Sequence, residues 1–285
     1  MSREASMQII KKIVIDVLLI GILLFGLYVT TAIWVPFKRG FFCGDESLMY
    51  PYRDDTVTTP MLKSYGLILP ALAFLICEYV LLRKEDNYLQ FFNWRIPAWL
   101  RGFYLVLVSF SAGVCFMELT TNITKNIIGR PRPHFFNLCK PSIDCSLPEF
   151  SRRYIEADEY TCLGENVEKI SDVNLSFVSG HSTWAAFTMI YLALYLEKRV
   201  TYQGTRVLRH SLQYAAVMLS WFTALSRVSD YKHHWSDVLV GYLLGLVFAV
   251  VVWTWGTDIL EVKKKHKQIS QQDTSVPMQQ MALPA

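Results

Sequence analysis

Charged side chains are scarce in this chain of 285 residues: Asp, Glu, Lys and Arg make up 18% of it, and 52% is hydrophobic. Average soluble proteins carry about a quarter charged residues. The net charge of +4 is small and scattered, and no segment interleaves basic residues with aromatics that could stack on bases. We therefore expect no nucleic-acid partner. The length suits one or two soluble domains, or a bundle of about six membrane helices at roughly 20 residues each.

Long apolar runs favour the membrane bundle. The first run is too long for a signal peptide, and no small-residue cleavage site follows it. A soluble all-α protein with buried helices is the alternative, but six apolar runs between charged loops are hard to bury in so short a chain. The predicted spans cover about residues 13–34, 65–82, 102–121, 183–199, 212–227 and 238–255. We predict an all-α, polytopic membrane protein with a six-helix domain at 1–262 and a cytosolic, disordered tail at 263–285.

The distribution of Lys and Arg among the loops predicts the orientation of the spans. Basic residues are concentrated in the N-terminus, in the loops at 83–101 and 197–210, and in the tail. The loop at 35–61 balances bases against acids, and the long loop at 122–181 carries many acids. The positive-inside rule therefore places both termini in the cytosol and the loops at 35–61 and 122–181 outside.

No cysteine lies in a predicted cytosolic loop. Four cysteines lie on the predicted outer side: Cys43, Cys139, Cys145 and Cys162. That compartment is oxidising, so they can form disulfides, but the sequence does not choose among the three full pairings. A zinc site is the alternative, which the lack of close Cys/His pairs disfavours. Two glycosylation sequons, at Asn122 and Asn174, also face outward in this topology.

Polar and ionisable residues gather at membrane boundaries in three segments, at 125–133, 178–182 and 226–237. These segments include the exit of span three, the entry of span four, the exit of span five and the entry of span six. In the predicted topology all four boundaries lie on the outer face. Cations, two histidines and a carboxylate are thus expected at one level, although they are far apart in the sequence.

The three segments together supply groups that suit the binding of a phosphate. Three cations supply charge and hydrogen-bond donors: Lys125, Arg132 and Arg227. Arginine suits phosphate because its planar fork makes two parallel charge-assisted bonds. Residues 179–181 open a helix whose free N–H groups suit an anion, and Gly180 permits close approach of the backbone. Ser179 either caps the helix or donates to a phosphate oxygen. Taken alone, the first two cations could equally be snorkelling residues at the membrane interface.

The third segment supplies a nucleophile. His233 and Asp237 are four residues apart, so they would meet on one helical face. A carboxylate there can fix the tautomer of the imidazole and stabilise its cation, which leaves the other ring nitrogen free to attack. Glu78 and Glu118 lie within or near spans, and we interpret them as helix-packing or boundary groups. The neighbouring polar residues are interpreted as structural, loop-solvating or substrate-edge groups: Asp230, Lys232 and His234.

The three segments contain ordered motifs: K-x6-R-P at 125–133, S-G-H at 179–181 and S-R-x5-H-x3-D at 226–237. Together they resemble the type 2 phosphatidate phosphatase family, and specifically the animal lipid phosphate phosphatases. The resemblance covers nearly all of the chain except the tail. Val178 stands where the wider superfamily often has Pro, and the spacing favours Arg132 as the family's arginine, which leaves the role of Arg130 open.

The resemblance implies a helical-bundle core shared with the vanadium haloperoxidase and acid phosphatase superfamily. It further implies a metal-independent lipid phosphomonoesterase that needs neither magnesium nor another cofactor. His233 would attack phosphorus to form a phosphohistidine, Asp237 would orient it, and His181 would protonate the leaving alkoxide. The phosphate oxygens would be bound by Lys125, Arg132, Ser179, Gly180 and Arg227. The implied substrates are phosphatidate, lysophosphatidate, sphingosine phosphate and ceramide phosphate.

The implied location is the plasma membrane, with endomembranes as the alternative, and an active site on the extracellular or luminal face. The family suggests a homo-oligomer. A lipid phosphotransferase could share the His–Asp pair, but the intact first motif disfavours it. A non-catalytic adaptor is disfavoured because His181, His233 and Asp237 are all present. A transporter would be expected to carry charges deep within several spans rather than at one face.

Overall fold

The computed structural model describes residues 2–86, 88–200, 204 and 206–273, and helices dominate these ranges. The helices are α1 (Ser2–Tyr28), α2 (Thr59–Leu82), α3 (Ala98–Ile128), α4 (Phe135–Cys139), α5 (Val167–Ser171), α6 (Gly180–Arg199), α7 (Arg206–Ser229) and α8 (Trp235–Asp273). A π-helical turn at Val29–Ile33 extends α1. The short strands are β1 (Phe41–Phe42), β2 (Leu89–Phe91), β3 (Trp94–Ile96) and β4 (Tyr154–Ile155). The predicted all-α class is confirmed.

Five of the six predicted spans each fall within one long helix, and the span at 13–34 runs through the end of α1 and the π-helical turn. Each of the six long helices begins before the apolar run that it contains. Four segments of the described residues are long and apolar enough to cross a membrane: Ser6–Ile33, Thr59–Leu82, Ala98–Ile128 and Trp235–Gly256. Helices α6 and α7 are not among them, so the count of six spans stays a prediction. Helix α8 continues to Asp273, through residues predicted to be disordered, and residues 274–285 lie outside the described ranges.

Helix α6 is the centre of the bundle and packs against α2, α3, α7 and α8. Its inward side meets aromatic rings from the neighbouring helices, and Phe74, Phe110, Phe187, Tyr191 and Tyr195 form one buried cluster. At the other end of the helix, α8 approaches closely because Gly245 has no side chain. A Cβ at Gly245 would lie 2.3 Å from the carbonyl oxygen of Thr183. The start of α8 therefore lies beside the start of α6.

The loops that precede α2 and follow α3 form a layer outside the helix bundle, the outer layer, which has its own small core. Strands β1 and β4 pair antiparallel, with Phe41 opposite Ile155. Two disulfides, Cys43–Cys145 and Cys139–Cys162, select one of the three pairings that the sequence left open. They use all four cysteines that were predicted to lie outside, which leaves none of these thiols available as a zinc ligand. The alternative of a zinc site at these cysteines is therefore wrong.

The end of α3 is the point at which the bundle joins this layer. Gly129 terminates the helix in the left-handed region, with φ of +57°, which residues with a Cβ rarely adopt. A Cβ there would also lie 1.9 Å from the carbonyl oxygen of Phe37. Lys125 is thus in the last helical turn, and Arg132 lies in the extended segment that follows.

Candidate active site

The three predicted segments converge on one cavity of about 370 Å³ between the helix ends and the outer layer. Six of the eight predicted site residues line it: Lys125, Arg132, Gly180, His181, Arg227 and His233. The other two, Ser179 and Asp237, are fully buried behind its wall. The prediction that the three segments come together is confirmed, whereas their level in the membrane and the side of the membrane on which they lie stay predictions.

The start of α6 forms part of the cavity wall. Ser179 is the N-cap residue, as predicted, but its hydroxyl makes no capping bond and instead accepts a hydrogen bond from Ser182 Oγ at 3.2 Å. Its backbone N–H donates to the carbonyl of Asp237 at 3.1 Å, which ties α6 to α8. The Ser179 hydroxyl is therefore not positioned to bind a phosphate oxygen in this structure. Gly180 lines the cavity in its place.

Lys125 stands apart from the other predicted phosphate-binding cations, because it has no ion-pair partner among the described residues. Its ammonium forms no hydrogen bond or ion pair with any residue that the structure describes. A Cβ built on Gly180 would lie 3.4 Å from this Nζ, so the ammonium stands directly against the start of α6. An unpaired ammonium beside a helix N-terminus is a site for an anion.

The two arginines are paired with carboxylates that the sequence reasoning did not identify. Arg132 forms an ion pair with Asp172, and its Nε donates to the Asp172 carbonyl at 3.1 Å. Arg227 Nη2 donates to Asp55 Oδ1 at 2.6 Å. Burial alone would raise the pKa of Asp55, but the hydrogen bond and charge of Arg227 outweigh it, so this pKa lies below its ordinary value. One feature of the sequence could have pointed to these carboxylates: a buried arginine needs a counter-charge, and the adjoining loops contain acids.

His181 lines the cavity and has one ring nitrogen without a partner among the described residues. This nitrogen, Nε2, is buried. Burial, followed by the charge of Arg227, lowers the pKa of His181 to about 3. The imidazole is therefore neutral when the cavity is empty. A bound phosphate dianion would offset the charges of the cations and favour the protonated ring.

His233 is held in the tautomer that a nucleophile requires. Its Nδ1 is 2.6 Å from the carbonyl oxygen of Ser176, which can only accept a hydrogen bond. Nδ1 therefore carries the proton, and Nε2 keeps its lone pair. Burial, followed by the charges of Arg132 and Lys125, places the pKa of His233 well below its ordinary value. The ring is thus neutral and able to attack.

The predicted direct contact between Asp237 and His233 is wrong. Helix α8 begins at Trp235, so His233 precedes the helix and the four-residue spacing does not place the two side chains on one helical face. Asp237 Oδ2 instead accepts from the backbone N–H of His234 at 3.1 Å and from Ser176 Oγ at 2.6 Å. Its Oδ1 accepts from Arg130 Nη1 at 2.5 Å.

Three further lysines and a glutamate line the cavity. The ammonium groups of Lys169 and Lys232 lie 4.0 and 3.8 Å from the ring centroid of Tyr52. Lys232 is also 3.5 Å from the Asp55 carboxylate. The predicted boundary residue Glu118 lines the cavity and pairs with Lys63 at 3.5 Å.

The structure also locates the two sequons and the acidic residue Glu78. The sequon residue Asn122 lines the cavity, whereas Asn174 is half-buried in the outer layer. Glu78 is buried far along the bundle and accepts from Tyr195 Oη at 3.0 Å and from Arg199 Nε at 2.7 Å. It joins α2 to α6, which confirms its interpretation as a helix-packing group.

Comparisons with known proteins agree with the three motifs. Residues 102–260 match the model of the PAP2 superfamily. Phospholipid phosphatase 1 of Rattus norvegicus is 38% identical over 258 residues, covering 90% of this chain and 88% of the relative. Phospholipid phosphatase 2 of Homo sapiens is 33% identical over 267 residues, covering 92% of this chain and 88% of the relative. No solved structure matches the chain.

The chain belongs to the PAP2 superfamily. Its matched region begins within α3 and includes all three motifs, and the relatives extend the similarity over most of the remaining chain. The family predicted from residues 125–133, 179–181 and 226–237 is therefore confirmed. With it, the assignment of the chain to the hydrolases of the phosphatase class is confirmed as well.

Proposed function

We propose that this chain is a metal-independent lipid phosphate phosphohydrolase that works through a phosphohistidine at His233. The observation that carries the proposal is the arrangement of one cavity. It combines an imidazole with a fixed tautomer, a second histidine with an unpartnered Nε2, and the unpaired ammonium of Lys125. The names of the relatives, phospholipid phosphatases, support the lipid class of substrate.

The first half of the reaction transfers the phosphoryl group to the enzyme. His233 Nε2 attacks phosphorus, the P–N bond forms, and the ester P–O bond breaks. His181, protonated once the phosphate dianion has bound beside it, gives its proton to the departing alkoxide, which leaves as a lipid alcohol. Lys125, the start of α6 and the arginines stabilise the charge on the phosphoryl oxygens, which is the main demand of phosphoryl transfer.

The second half returns the enzyme to its starting state. Neutral His181 accepts a proton from water as the water oxygen attacks phosphorus, and the P–N bond breaks. Inorganic phosphate leaves, and the pair of electrons returns to His233 Nε2. The positive charge of Lys125, Arg132 and Arg227 acts where a metal ion acts in other phosphatases, so we propose that magnesium is not required.

We further propose that phosphatidate, lysophosphatidate, sphingosine phosphate and ceramide phosphate are substrates. The cavity adjoins the ends of the apolar helices, so the phosphate can enter it while the acyl chains stay in the bilayer. The acid-containing loops that roof the cavity support an extracellular or luminal active site at the plasma membrane or an endomembrane, with both termini cytosolic. Glycosylation at Asn122 or Asn174 and assembly into oligomers also remain proposals.

The direct test is phosphate release from phosphatidate in mixed micelles containing EDTA. We expect the wild type to be active and His233→Ala to be inactive. His210→Ala, which changes an exposed histidine on α7, is the matched control and should behave as the wild type. Strict dependence on magnesium, or equal rates for the wild type and His233→Ala, would refute the mechanism.

Topology and the rival phosphotransferase reaction need separate measurements. A protease site inserted near Ser151 should be cleaved from outside intact cells, and protection there would overturn the orientation. A phosphotransferase would move the phosphate-bearing group to an added lipid alcohol. We expect inorganic phosphate to be the product even when such an alcohol is present.

A further inference from the structure

We propose that Ser176 and Arg130 are positioning residues that, together with Asp237, fix the nucleophile from outside the cavity. The inference rests on the proposed function, because it concerns the ring of His233 that this function makes the nucleophile. It assigns a role to Arg130, which the motif spacing leaves open, and to Ser176, which lies outside the S-G-H motif.

Four side chains and one peptide carbonyl form a continuous chain of hydrogen bonds. Arg130 Nη1 donates to Asp237 Oδ1 at 2.5 Å, and Ser176 Oγ donates to Asp237 Oδ2 at 2.6 Å. The carbonyl oxygen of Ser176 then accepts from His233 Nδ1 at 2.6 Å. Asp237 thus acts on His233 through Ser176, without touching the imidazole.

Ser176 is restrained at three atoms, which is why its carbonyl can fix a ring. Its backbone N–H donates to the carbonyl of Arg130 at 3.0 Å, its hydroxyl binds Asp237, and its carbonyl binds His233. Ser176 and Asp237 are fully buried, and His233 is 3% exposed. A buried polar group without a hydrogen-bond partner costs free energy. Other orientations of the His233 ring, which would break the bond to the Ser176 carbonyl, are therefore disfavoured.

Arg130 has a defined part in this chain because a buried carboxylate needs a counter-charge. The Asp237 side chain is 0% exposed, and Arg130 forms its ion pair with it at 2.5 Å. The same Nη1 also donates to Ser236 Oγ at 2.9 Å. Because Arg130, Ser176 and Asp237 do not line the cavity, their effect on the reaction passes through His233.

The inference predicts a loss in the chemical step with no loss in substrate binding. Ser176→Ala removes the link to Asp237 but leaves the cations of the cavity in place. Hydrogen bonds that orient a metal-ligating histidine are worth roughly 10–100-fold. By analogy we expect kcat to fall by a similar factor and KM to stay within about twofold. The rate of phosphoenzyme formation in a single turnover should fall with kcat.

Ser220→Ala is the matched control, since Ser220 is also a fully buried serine and bonds Tyr242 Oη at 2.9 Å, away from the cavity. It should retain the wild-type kcat even where its thermal stability falls. Arg130→Gln should lower kcat as Ser176→Ala does, and Arg130→Lys should recover part of the loss. Thermal unfolding of every variant shows whether it is folded.

The possible outcomes separate this inference from the proposed function. A wild type without phosphatase activity would refute the function. An active wild type with an inactive His233→Ala, but with Ser176→Ala and Arg130→Gln equal to Ser220→Ala in kcat, would overturn the positioning role alone. A rise in KM with an unchanged kcat would overturn it as well. If Ser176→Ala does not fold, the comparison of Arg130→Gln with Arg130→Lys decides.

Discussion

Replacing Lys125 with methionine should weaken the enzyme and stabilise the fold at the same time. The ammonium of Lys125 has no protein partner in the described residues, and it shares its cavity with Arg132 and Arg227. In the empty enzyme it therefore adds repulsion without a compensating ion pair. With a phosphate monoester bound, it is the cation that is free to contact the phosphoryl oxygens.

The two effects have different sizes. Loss of one donor that stabilises transition-state charge costs about 3 kcal/mol, so kcat/KM of Lys125→Met should fall by roughly 100-fold or more. Relief of a functionally strained site typically adds about 1 kcal/mol to the free energy of unfolding. For a chain of this size that is a rise in Tm of roughly 2 °C. Methionine preserves the length of the side chain, so no cavity is created.

The assay combines phosphate release with thermal unfolding in the absence and presence of inorganic phosphate. Phosphate at about 100 times its Kd stabilises a binding protein by about 2.7 kcal/mol, and Lys125→Met should lose much of that shift. Lys63→Met is the matched control, because Lys63 lines the same cavity but is half exposed and already paired with Glu118. It should change stability by less than about 1 kcal/mol. A Lys125→Met variant that is less stable than the wild type, or that keeps its activity, would refute this reasoning.

Three further outcomes follow from the structure. The pKa of His181 is lowered to about 3 and that of His134 to about 4, both from 6.5, so the folded state binds fewer protons than the unfolded chain; Tm should fall as the pH drops from about 6.5 toward 4, and His134→Asn should reduce this slope. Glu78→Gln leaves the partly buried Arg199 without its charged partner and should destabilise the bundle by up to about 3 kcal/mol, with KM unchanged; an unaltered Tm would contradict the packing role. Mass mapping under non-reducing conditions should link Cys43 to Cys145, and any other pairing would contradict the disulfides of the outer layer.

The positions of the helices could be predicted from the sequence, but their ends could not. Apolar runs mark the part of a helix that lies against lipid or core, whereas the helix itself continues to a residue that stops it. Gly129 ends α3 seven residues beyond the predicted boundary at 121, and Lys125 is therefore helical. The membrane segments of α6 and α7 remain predictions, since these two helices carry many polar residues among their apolar ones.

The motifs predicted most of the site, and the errors have a common physical cause. The cavity residues carry chemistry that only a few residue types can perform, so their spacing is recognisable. Their supporting contacts are formed by tertiary structure: Asp55 and Asp172 come from loops without a motif, and Ser176 acts partly through its backbone carbonyl. The contact predicted between Asp237 and a histidine assumed a helix that begins before Trp235.

The most direct test of the central claim is to locate the covalent intermediate. Wild-type enzyme would be mixed briefly with a lipid substrate labelled in its phosphate, quenched in alkali, digested, and the labelled peptide sequenced. We expect an acid-labile phosphohistidine at His233, and no label in His233→Ala. His234 is the informative alternative, because its Nδ1 lies 3.1 Å from Asp237 Oδ2. Label at His234, or the absence of any phosphoenzyme in an active preparation, would contradict the assignment of His233 as the nucleophile.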